Sequence, residues 1–184
     1  MSNRVLSGHH PGYKRVTAGA ALLILALWVA HQLLSPVAGA EVAGTGIALG
    51  AAAPEFELKT IDGKAYKLSD LRGQAVLINF FATWCPPCKR EMPILQEAYQ
   101  EYRDQGIIVL AVNLNESDVA IRSFQEKLGT TFPIVVDKDD QVSRLYDIVP
   151  LPTTYFVDRK GIVQAKWTGE LRKEQLRSLL AKIL

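Results

Sequence analysis

The sequence predicts an α/β domain, a central mixed sheet flanked by helices. Three observations carry that prediction. Short apolar strands alternate with amphipathic helical stretches, turn residues separate them, and Ala75–Phe81 (AVLINFF) is a continuous apolar run. Such a run fits a strand covered on both faces, so it belongs in the middle of the sheet.

The elements follow in order from about Pro54. Phe56-Glu57-Leu58 and Ala65-Tyr66-Lys67-Leu68 are short alternating strands on either side of Asp62-Gly63, a turn signal. Ser69 is placed to cap a short helical turn ending at Gly73. After Ala75–Phe81 a helix is expected from about Cys85 to Tyr102, kinked at Pro93, which lacks an N–H. Gly106 then precedes the apolar strand Ile107–Val112. Asp118–Leu128 is amphipathic, with Val119, Ile121, Phe124 and Leu128 as its apolar residues. Ile134–Val136, Thr153–Val157 and Val163–Thr168 read as strands, with a turn at Asp158–Gly161 between the last two. Lys173–Leu184 closes the chain, with Leu176, Leu179 and Leu180 at helical spacing and Ile183 behind them.

Of 184 residues, 21 are Lys or Arg and 19 are Asp or Glu, and their placement is uneven. Residues 1–40 hold Arg4, Lys14 and Arg15 and no acid, a charge of +3; the remainder carries −1. No basic domain face is implied, so nucleic acid is not an expected partner. His9, His10 and His31 are the only histidines. From Glu41 onward a Ser-His-Asp or Cys-His hydrolase and a His-ligated zinc site are therefore excluded. Cys85 and Cys88 are the only cysteines, so special chemistry has to be built around them.

From Val16 to Ala40 there is no charged residue. Val16–Leu34 would span roughly 28 Å as a helix, just enough for a hydrocarbon core. Lys14 and Arg15 lie immediately before it. The positive-inside rule then keeps residues 1–15 in the cytoplasm and carries the rest outside. The segment 16–34 reads as an uncleaved anchor. A signal peptide cleaved after Ala40, in the small-residue stretch Ala38-Gly39-Ala40, is the alternative. Residues 35–53 are rich in Ala and Gly and read as a flexible tether, and 54–184 as the folded domain.

Trp84-Cys85-Pro86-Pro87-Cys88 follows an apolar strand and opens a helix. Two intervening residues let the sulfurs of a first helical turn come close enough to bond. The helix start favours a thiolate, lowering its pKa from about 8.5 to roughly 3.5–7.5. That thiolate is the attacking species in disulfide exchange, and the second thiol resolves the mixed disulfide. Pro86 and Pro87 cost little where no N–H is needed. A half zinc site, a static disulfide and a Cu(I) site are the competing uses of such a pair.

Across about Ala52 to Leu184 the sequence resembles the membrane-tethered, extracytoplasmic thioredoxin-like proteins of the ResA/TlpA type. The resemblance is carried by Leu77–Pro93 (LINFFATWCPPCKREMP) and by Leu151–Asp158 (LPTTYFVD) followed by Gly161. It implies a thioredoxin-like fold with an extra N-terminal hairpin, Phe56–Leu68, and an inserted helix and strand, Asp118–Val136. It implies a cis proline facing the cysteines, a role that maps onto Pro152, with Pro150 as the competitor. Leu151 and Thr153 flank Pro152 and join it as expected client-binding residues. Thioredoxin has a buried aspartate six residues before its first cysteine, and this chain has Asn79 there, which cannot accept a proton. Relatives of the ResA type carry a glutamate three residues after the second cysteine. Glu91 occupies that place, on the helix face of Cys88. It is expected to take the proton of Cys88 and to raise the cysteine pKa values, unless it is a solvated surface acid. Trp84 is expected to offer a flat apolar contact to a partner, with core packing as its alternative.

The reaction expected is reduction of protein disulfides outside the membrane, with no cofactor. The resemblance implies clients such as apocytochrome c during cytochrome c maturation, and a membrane thiol-transfer protein as electron donor. No histidine lies between the cysteines, which tilts the direction toward a reductant. A peroxidase of peroxiredoxin type would need a Pro-x-x-x-Thr-x-x-Cys stretch, and Ile78–Cys85 holds no proline. A Cu(I) metallochaperone is the non-enzymatic alternative.

Overall fold

The computed structural model of the protein describes Trp28 and residues 47–184. The chain divides into two compact units, residues 1–44 and 45–184. In the first, Trp28 alone is described, in helical conformation. The expected N-tail, the rest of the 16–34 segment and residues 35–46 of the tether lie outside the described residues. Among the described residues no helix is long and apolar enough to cross a membrane.

Among the described residues of the second unit there are seven strands and four α-helices. The strands are β1 (Glu57–Thr60), β2 (Ala65–Lys67), β3 (Ala75–Phe81), β4 (Ile107–Leu114), β5 (Ile134–Asp137), β6 (Thr153–Val157) and β7 (Val163–Thr168). The helices are α1 (Pro86–Tyr102), α2 (Asp118–Leu128), α3 (Gln141–Leu145) and α4 (Lys173–Leu180). One sheet runs in the order β2-β1-β5-β4-β3-β6-β7. β3, β4 and β5 are parallel; β6 and β7 on one side and β1 and β2 on the other are antiparallel. The sheet is mixed, as the sequence predicts.

β3 is buried along its whole length because both faces are covered. Side chains alternate across a strand. Ala75, Leu77 and Phe81 pack with Met92 and Leu95 of α1, Ile121 and Phe124 of α2, and Leu176 and Leu180 of α4. Val76, Ile78 and Phe80 pack on the other face with Leu68, Leu71, Val142, Tyr146 and Tyr155. Full burial of such side chains stabilises the fold by about 1.5–3 kcal/mol each. Asn79 falls on the α1 side of this pleat, a polar residue between Leu77 and Phe81.

Helix ends follow local chemistry. Cys85 is the N-cap of α1, with Pro86 and Pro87 in the first turn, and Pro93 lies within a helix that continues to Tyr102. Ser117 caps α2, its hydroxyl accepting from Ala120 N–H, and Gly129 closes it at φ +64°, a left-handed geometry that glycine adopts without strain.

Several expectations change. Ser69 caps nothing: it lies inside a 3-10 turn, Leu68–Leu71, and its N–H donates to Glu55 Oε1 at 3.0 Å. The end of the expected tether already belongs to the fold, since Gly50 N–H donates to Val163 O and Ala53 N–H to Gly161 O. The last helix stops at Leu180, although Ile183 is still buried. α3 has no counterpart in the sequence reading. It is five residues long, too short for periodicity to show, and Asp137 at the end of β5 accepts from the N–H groups of Val142 and Ser143.

Candidate active site

Cys85 and Cys88 form a disulfide where β3 gives way to α1, with their Cα atoms 5.3 Å apart. Cys85 N–H bonds Ala82 O at 3.2 Å, and Cys85 O accepts from Lys89 N–H at 3.2 Å to start the helix. Cys85 Sγ accepts from Cys88 N–H at 3.3 Å. A thiolate at this position, once the disulfide opens, keeps that N–H, which has no partner within the helix, and meets the positive end of the α1 dipole. Cys85 keeps 3% exposure and Cys88 has none, so Cys85 is the more accessible of the two. Trp84 is 68% exposed, which removes the core-packing alternative and leaves its ring free beside the pair.

Pro152 and Thr153 are buried and Leu151 is half-buried. Thr153 pairs with Phe80 in the sheet, so the start of β6 adjoins the end of β3 from which the cysteine loop departs. Thr153 Oγ1 donates to Pro150 O at 2.7 Å, and Pro152 O accepts from Gly169 N–H. The Val149–Pro150 and Leu151–Pro152 bonds are both cis, so the choice between them that the sequence left open does not arise.

Glu91 is fully buried, one helical turn beyond Cys88. It is not the solvated acid of the alternative reading. Its Oε1 accepts from Asn79 Nδ2 at 2.8 Å and its Oε2 from Leu171 N–H at 2.9 Å. Asn79 Nδ2 also donates to Thr154 Oγ1 at 2.9 Å. Burial pushes the Glu91 carboxyl up to about 7, and the two donated hydrogen bonds hold it from rising further. An acid poised there can take up or release a proton at neutral pH. Asn79, read from sequence only as a missing acid, is a donor that orients Glu91.

A second carboxylate holds the loop ahead of the cysteines. Glu116 accepts from Thr83 N–H at 2.6 Å, from Thr83 Oγ1 at 2.5 Å and from Asn113 Nδ2 at 2.7 Å. Its own N–H donates to Asn113 Oδ1. The sequence offered no sign of this, because Thr83 and Glu116 are 33 residues apart. Glu116→Ala leaves three donors without an acceptor and should cost about 1–3 kcal/mol. Thermal unfolding of the oxidised protein reads that loss, and an unchanged midpoint would mean that the loop is held by other contacts.

A mixed sheet with a helix-capping Cys-x-x-Cys disulfide defines a thioredoxin-like thiol-disulfide oxidoreductase. The AhpC/TSA family model matches residues 49–166. Over 139 residues the chain is 44% identical to the thiol-disulfide oxidoreductase ResA of Geobacillus thermodenitrificans, covering 76% of this chain and 80% of that protein. The ResA of Bacillus subtilis is 38% identical over 156 residues, covering 84% and 85%. Among solved structures, one from Chlorobium tepidum described as the thiol:disulfide interchange protein DsbE superposes with a TM-score of 0.70 at 31% identity. It covers 74% of this chain and 97% of that one. The chain belongs to the AhpC/TSA family and to the ResA thiol-disulfide oxidoreductases.

Proposed function

We propose that the protein reduces disulfides of client proteins, apocytochrome c among them, on the outer face of the membrane. The observation that carries this reading is the buried Glu91 on the same helix as the Cys85–Cys88 pair. Cys85 thiolate attacks one sulfur of the client disulfide; a Cys85–client bond forms, the client bond breaks, and one client thiolate leaves. Cys88, deprotonated with Glu91 as acceptor, then attacks Cys85 Sγ and releases the second client thiolate. The client gains two electrons and the enzyme ends as the disulfide seen here. Trp84 and the half-buried Leu151 form the surface on which an extended client strand lies, with the buried Pro152 and Thr153 holding Leu151 in place behind it.

A dithiol of a membrane thiol-transfer protein returns the two electrons. The uncharged segment 16–34, preceded by Lys14 and Arg15, tethers the domain outside. The test has two parts. Reduced protein mixed with disulfide-form apocytochrome c should yield two client thiols per enzyme disulfide formed; no client thiols would refute the assignment. Protease added to spheroplasts should digest the domain, and full protection would refute the outward placement.

A further inference from the structure

Beside the disulfide lies a groove of about 260 Å³, between the start of α1 and α2. Thr83, two residues before Cys85, and Lys89, next after Cys88, form its near side. Ala120, Phe124 and Leu128 give an apolar lining, and Lys127 stands with them on α2. Phe124 stacks on Phe81 with ring centroids 5.3 Å apart, which fixes this side of the groove to the end of β3.

The side chains that line it carry only positive charge, while the Glu116 carboxylate sits behind Thr83, tied up by Thr83 and Asn113. No acidic side chain lines it, and among the described residues neither Lys89 nor Lys127 forms an ion pair. The neighbouring Arg90 and Arg122 are each tied to a carboxylate, Glu170 and Asp62. Both lysines are exposed and adjoin apolar surface. The volume lies below the roughly 300–1,000 Å³ of small-molecule sites and suits side chains of a chain segment.

We propose that this groove holds a stretch of the client next to its reacting disulfide, with an apolar side chain against Phe124 and Leu128 and an acidic one between Lys89 and Lys127. The proposal rests on the reading of the protein as a reductase of protein disulfides and adds which disulfides it prefers. Charge pairs at an exposed rim act mainly on association and are screened by salt. The preference therefore belongs in the rate of the first attack.

The experiment uses full-length reduced protein and two cystine peptides that differ only in two residues beside an apolar one, Glu-Glu in one and Lys-Lys in the other. At low salt the acidic peptide should react about tenfold faster, with the ratio shrinking at about 0.5 M NaCl. Lys127→Glu should reverse the order; Lys127 is chosen because Lys89 adjoins Cys88. Ser123→Trp, which fills the groove from α2, should slow the acidic peptide. Equal rates in the wild type, or a ratio that Lys127→Glu leaves unchanged, would overturn the proposal. An uncharged small disulfide separates the two levels of failure. If the wild type reduces it but shows no peptide preference, the groove assignment alone falls; if it reduces none of the three, the reductase reading falls and takes the groove with it.

Discussion

Cys88→Ser should leave the protein covalently joined to its clients through Cys85, with turnover of protein disulfides reduced to background. Cys85 has the residual exposure and the helix-start position that an attacking thiolate needs, so the first step survives the change. The second step does not. In the wild type Cys88 attacks from three residues away on the same helix, with Cα atoms 5.3 Å apart. An intramolecular thiol so placed has an effective concentration no external thiol can match, and its loss should slow release by roughly 10⁴-fold or more. Cys85→Ser should trap nothing, because Cys88 is wholly buried. Non-reducing electrophoresis and mass spectrometry of the adducts read the result. Adducts formed mainly through Cys88 in the Cys85→Ser protein would reverse the roles.

Glu91→Gln should have two separable effects. The first is on stability, best measured in the oxidised protein, where the cysteines do not titrate. The Glu91 carboxyl is raised from 4.5 to about 7 in the folded state. A raised pKa means that the folded protein holds this proton more tightly than the unfolded chain. The associated stability is fully present below about pH 4.5 and is lost as pH rises through about 7. At about 1.4 kcal/mol per pH unit the loss amounts to about 3 kcal/mol. Glutamine does not titrate, so this fall should be missing from the variant. Denaturant unfolding between pH 4 and 8 tests it; an unchanged slope in Glu91→Gln would assign the fall to other groups.

The second effect is on catalysis. Removing a proton acceptor should lower turnover near neutral pH by about 10²–10⁴-fold, with mixed disulfide accumulating, because resolution by Cys88 is the step that loses its base. Equal turnover in wild type and variant would reduce Glu91 to a structural group.

Legibility in the sequence tracked the range of the interactions involved. β3, α2, β6 and β7 have the bounds expected of them, since an apolar run, helical spacing and turn residues are local signals. The helix start at Cys85 was equally plain from Pro86 and Pro87. α3 escaped because it depends on Asp137, which lies outside the helix it caps. Helical spacing put Glu91 on the face of Cys88 but did not reveal its burial. That comes from Leu171, eighty residues later, and from Asn79 on the neighbouring strand. Glu116 is of the same kind: its partners Thr83 and Asn113 come from two strand ends that only the fold brings together.

Asn79 has one further property. Its Nδ2 serves Glu91 and Thr154, while its Oδ1 is buried with no hydrogen-bond partner. An amide is two-ended, and a half-turn exchanges donor and acceptor without moving the backbone. As it stands, the NH₂ end suits an ionised Glu91. Turned over, the carbonyl end would accept from a protonated Glu91 and from the Thr154 hydroxyl, while the NH₂ would take the unpartnered place the oxygen now holds. An aspartate in that place would repel the ionised glutamate and compete with it for the proton. The asparagine is thus a reversible socket that fits Glu91 with or without its proton. In the proposed role of proton acceptor, Glu91 can change state and keep a hydrogen bond to Asn79 throughout.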